Sequence, residues 1–83
     1  MADFRWEFYG EGVLAEIAKA PQDVKEDFYQ LMDRVTRSPR RSKGVIRLQG
    51  TAGGFMAPFD DGWLVYQVLA DYPRIHLLMV VWD

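Results

Sequence analysis

One apolar stripe constrains this chain more than any other feature. Val24, Phe28, Leu31, Met32 and Val35 fall at i, i+4, i+7, i+8 and i+11, the period of a helix with a single apolar face. Lys25, Asp27, Gln30, Asp33 and Arg34 lie largely on the other side. Pro21 suits the first position of such a helix, Asp23, Glu26 and Asp27 sit near its positive end, and Ser38-Pro39 predicts a stop near Arg37. After residue 44 the pattern changes to strand-like runs, so the stripe has only a sheet to cover.

Those runs are short and well punctuated. Phe4, Trp6 and Phe8 alternate with Arg5 and Glu7, which predicts a strand over 3–9, ended by Tyr9-Gly10-Glu11-Gly12. Val13, Leu14 and Ile17 predict a short helix to about Lys19. Val45-Ile46-Arg47-Leu48 is a short strand, 50–54 a loop, and 55–59 a strand that Pro58 restricts to an edge or bulge. Asp60-Asp61-Gly62 predicts a hairpin turn. The runs 63–70 and 74–82, joined by Asp71-Tyr72-Pro73, are apolar enough to lie centrally or to be covered on both faces. The expected fold class is α+β: an N-terminal strand and a helical hairpin packed on a four- or five-stranded, mainly antiparallel sheet.

Eighty-three residues allow one domain, 1–83. With 49% hydrophobic and 14% aromatic residues it can build a core, which excludes disorder as the main description. Cysteine is absent, so thiolate chemistry, Cys-zinc sites and iron–sulfur clusters are excluded and a reducing, cytoplasmic setting is expected. No apolar run approaches the ~20 residues of a membrane span, and Met1-Ala2-Asp3 opens no signal peptide. No membrane contact is expected.

The net charge of −2 hides an asymmetry. Residues 34–47 carry Arg34, Arg37, Arg40, Arg41, Lys43 and Arg47 with no acid, inside an otherwise acidic chain. Such a block can contact phosphates, or it can be a solvated helix end whose cations meet the macrodipole. Arg37, Arg40, Arg41, Lys43 and Arg47, with Trp63 beside the turn as a stacking surface, are the candidate binding residues. Trp6 and Trp82 are expected in the core.

The order of elements, the basic Ser38-Pro39-Arg40, the Leu48-Gln49-Gly50 step and the return strand Gly62-Trp63-Leu64-Val65-Tyr66-Gln67-Val68 together resemble the RelE/ParE superfamily of small bacterial toxins. The resemblance implies the toxin of a type II toxin–antitoxin module, which either cleaves messenger RNA on the ribosome and so inhibits translation, or inhibits DNA gyrase without cleavage. Messenger-cleaving members place basic residues in the Leu-x-Gly step, after the aromatic of the return strand, and at or beyond the end of the last strand. Here the first position is Gln49, no arginine accompanies Trp63, and the sequence reads Val81-Trp82-Asp83 at the third.

A replacement set would have to come from Arg47, Arg74 and His76. Arg74 and the sole histidine, His76, are two apart and share a strand face, an imidazole and a guanidinium suited to phosphate chemistry. The simpler expectation is a histidine at a strand entrance with its tip in water, on a face continued by Leu78, Val80 and Trp82. Asp60 and Asp61 are more in keeping with turn capping than with a metal site, so no metal and no cofactor is expected. The resulting expectation is a toxin-type protein that binds an antitoxin or other protein target. The alternatives are a divergent ribosome-dependent endoribonuclease that contacts ribosomal RNA through the basic block, and a non-toxic interaction domain of the same fold.

Overall fold

The computed structural model describes residues 4–59, 62–69 and 73–82. The elements follow the order β1 (Arg5–Phe8), α1 (Val13–Lys19), α2 (Gln22–Arg37), β2 (Ile46–Arg47), β3 (Gly54–Phe59), β4 (Gly62–Val68) and β5 (Arg74–Trp82). They form one five-stranded sheet in the order β1-β5-β4-β3-β2, with β1 parallel to β5 and every other pair antiparallel. The N-terminal strand thus lies beside the last one. Residues 60–61 of the expected hairpin turn, with their carboxylate pair, lie outside the described residues, as do 70–72 of the last connection.

All five stripe residues of α2 are buried. Phe28 is fully enclosed, edge-on to Trp6 at 6.1 Å and Phe59 at 6.4 Å, and stacked with Phe8 at 6.4 Å. The helix therefore covers both β1 and β3. Its start uses Pro21 as the capping residue rather than the first helical one, and Arg34 and Arg37 meet the negative end of its dipole. Ser38 N–H donates to Arg34 O, and Ser42 Oγ lies 2.7 Å from Ser38 O and 3.0 Å from Arg34 O, so the last carbonyls are satisfied locally.

β4 and β5 do lie centrally. Pro58 sits in β3 past the stretch that pairs with β2, where its missing N–H costs no ladder bond. No described helix is long and apolar enough to cross a membrane.

Candidate functional site

Strand alternation divides the sheet into two faces. Trp6, Phe8, Phe55, Ala57, Phe59, Leu64, Tyr66, Val68, Ile75 and Leu77 point to the helices and are buried or packed on the core. Among the described residues, no helix packs on the opposite face. Its rows, read through the strand register, are Arg5 with Arg74; Glu7, His76 and Gln67; Met79, Val65, Met56 and Ile46; then Val81, Trp63 and Pro58. One half of this open face is polar and the other apolar.

A bulge decides which residues belong to it. The register runs Tyr66↔Leu77 and then Val65↔Met79, so Leu78 is an extra residue. The expectation that Leu78, Val80 and Trp82 continue the face of His76 is therefore corrected: Met79 and Val81 do so. Trp82 is turned to the helix side but is not a core residue. It is 37% exposed, its indole N–H donates to Glu16 Oε2 at 2.9 Å, and its ring meets Phe59 edge-on at 5.8 Å. Trp6 packs on the core as expected, and Trp63 is half-buried beside Pro58 and Val81.

The polar half is closed on itself. Glu7 Oε1 lies 2.8 Å from His76 Nε2 and 3.7 Å from Arg74 Nη1. Tyr9 stacks on the imidazole with centroids 4.2 Å apart and planes 8° off parallel. The His76 side chain is only 14% exposed, so its tip is not in water but held between a carboxylate and a phenol ring. The reason is β1, which lays Glu7 directly against His76 in the parallel register. Gln67, in the same row, donates its side-chain N–H to Ala52 O at 3.0 Å. A general base for a 2′-hydroxyl needs a ring nitrogen free to take a proton. Glu7 takes up Nε2 and leaves Nδ1 as the one ring nitrogen that could serve, while the same carboxylate offsets the charge that Arg74 would offer a phosphate.

Arg74 and His76 are brought together, but Arg47 is not part of their set. It lies in β2 at the other edge of the sheet and has the parity of Phe55, on the helix side. With Leu48, Gln49, Gly50, Thr51 and Ala52 it lines a groove of about 430 Å³. Gly50 has φ 79°, a conformation that favours glycine and explains the residue of the Leu48-Gln49-Gly50 step by backbone geometry.

The basic block is strung along a loop. Arg37 ends α2, and Arg37, Arg40, Arg41 and Lys43 are all exposed. The Arg40 guanidinium lies 5.9 Å from the ring centre of Phe4, just ahead of β1, whereas Arg47 is in β2. Four strand spacings, about 19 Å, separate those two strands, so Arg40 and Arg47 are anchored at opposite edges.

Tyr66 holds that loop, a role the sequence reading missed. Its hydroxyl donates to Pro39 O at 2.5 Å from a fully buried position, and burial pushes its phenol well above the ordinary range. The available signal was a phenol at the core parity of Leu64 and Val68, where a polar tip must find a partner. Among the described residues no three His, Asp or Glu side chains converge on a metal-sized site.

No protein-family model matches the chain, and no curated protein matches it in sequence. Solved structures do match. In the RelE–RelB complex of Pyrococcus horikoshii OT3 the similar chain is 20% identical, with 98% of this chain and 96% of that one covered at a TM-score of 0.83. The intact E. coli RelBE toxin–antitoxin complex gives 25% identity, 99% and 98% coverage and a TM-score of 0.80. The isolated E. coli RelE toxin gives 25% identity, 99% and 85% coverage and 0.81. From its N-terminal strand to the end of β5, the chain carries the fold of the RelE toxins.

Proposed function

We propose that this chain is the toxin-type member of a toxin–antitoxin pair, a single cytoplasmic domain that acts by binding proteins, an antitoxin and a target, without cleaving messenger RNA. One observation carries the reading: the helix-free face of the sheet is apolar along Ile46, Met56, Val65, Met79 and Val81, and its polar cluster of Glu7, Arg74 and His76 is internally neutralised by Glu7. Phosphoryl chemistry without a metal needs cations aimed at the scissile phosphate. Apolar surface of this kind serves protein contacts instead. An antitoxin partner is supported by the RelE–RelB complexes among the similar structures.

A ribonuclease reading keeps one supporting observation, the exposed cations Arg37, Arg40, Arg41 and Lys43, with Arg47 in its groove. Those residues can neutralise ribosomal phosphates but supply no acid–base pair. Expression of the chain alone, then with the small reading frame beside its gene, tests the proposal. Growth arrest relieved by the second product, with the two co-purifying, is expected. No arrest and no captured partner would replace the proposal with a non-toxic interaction domain.

A further inference from the structure

β5 is longer than the strand that flanks it. β1 pairs with it only from Arg74 to Leu77, Tyr9 and Gly10 N–H both donate to Leu77 O, and the chain then departs into α1. Gly10 passes so tightly that a Cβ would overlap Leu78 O. Beyond this point no described strand pairs with the outer edge of β5. The orientation of its backbone follows from Gly62, where an added Cβ would meet Val81 O: Val81 turns its carbonyl to β4. Alternation then turns the N–H and C=O of Val80 and Trp82 to the open edge.

A groove of about 200 Å³ lies in front of this edge, lined by Glu11, Gly12, Val13, Glu16, Met79 and Val80. Edges of this kind are usually blunted by lysine, proline or charge, yet the sequence here is Met79-Val80-Val81-Trp82, with Met79 51% and Val81 41% exposed. An open edge recognises extended backbone. The charged side chains lining the groove are Glu11 and Glu16, both acidic, so the edge favours a cationic strand. We propose that the outer edge of β5, from Met79 to Trp82, is a strand-addition site for an extended partner segment in which apolar residues alternate with Lys or Arg. The partner rests on the protein-binding function above; the free edge does not.

An acetylated, amidated peptide of alternating Val and Lys is the probe, with amide hydrogen exchange in the ¹⁵N-labelled chain as the readout. In the free chain Val80 and Trp82 amides should exchange faster than that of Val81, and the peptide should slow them at least tenfold. Val80→Pro removes an edge N–H and Val81→Lys sets a like charge at the rim; each should weaken the peptide at least tenfold. Should Val80→Pro fail to fold, Val81→Lys carries the test, because that side chain is outside the core. Val80 and Trp82 amides already protected in dilute free protein, no slowing at millimolar peptide, or unchanged affinity in the variants would overturn the site. Protection that grows with protein concentration alongside dimer formation would assign the edge to a second copy and overturn the partner. An antitoxin that binds without slowing Val80 and Trp82 overturns the site and leaves the proposed function standing; peptide binding here with no antitoxin captured does the reverse.

Discussion

Tyr66 joins the core to the loop that carries the cations. Its ring stacks with Phe55 at 5.9 Å, and its hydroxyl is committed to Pro39 O. Tyr66→Phe keeps the ring and leaves a buried carbonyl without its donor, which should cost about 1–3 kcal/mol in a urea titration. The pH dependence has a definite sign. Burial raises the phenol in the folded state only, so above the ordinary phenol pKa of about 10 the unfolded chain loses a proton that the folded one keeps. The contribution of Tyr66 is whole below that pH and declines as pH rises past it. The Phe variant should lack that decline, and identical alkaline profiles for the two proteins would contradict the assignment. His76 owes its burial to Tyr9 and Glu7, which arrive from the far end of the sequence. Nothing near residue 76 foretells them.

Among the elements, α2 is the one whose sequence pattern translates most directly into structure. Helical periodicity is local, and its five apolar positions are the five buried ones. Phe28→Ala removes the ring shared by β1, β3 and α2, and should cost about 3–5 kcal/mol in thermal or chemical denaturation. A loss below about 1 kcal/mol would mean that the helix is not fixed to the sheet through this residue. β5 was legible as a strand but not as a surface. The extra residue Leu78 reverses the parity of everything after it, and a bulge of that kind depends on pairing with β4, which period-two reading cannot see. The bulge turns Trp82 to the helix side, but at the end of the strand its indole stays at the margin, bound to Glu16, and not in the core. The candidate site was legible only as residue types. The joining of Arg74 with His76 follows from their spacing, but Glu7 between them and the isolation of Arg47 are products of the sheet order.

At the scale of the whole molecule, the division of charge and apolar surface decides between partners. A net charge of −2 repels a long polyanion, and the cations of 37–47 run along a loop between opposite sheet edges. If the partner is a protein, Arg40 and Arg41 steer an acidic segment of it, separate from the cationic strand that the β5 edge would take. Arg40→Ala with Arg41→Ala should slow association with the antitoxin about tenfold at low salt, with little change near 0.5 M salt, as measured by stopped-flow fluorescence. Retention of RNA that falls steeply with salt and is lost in the double variant would reverse that assignment. The central claim is protein binding without messenger cleavage, and primer extension on messages from a translating extract tests it most directly. The chain should leave the cleavage pattern identical to that of the untreated extract. Codon-specific cuts that appear with the chain and disappear in Arg74→Ala or His76→Ala would contradict the claim and make the Glu7–His76–Arg74 cluster a nuclease site.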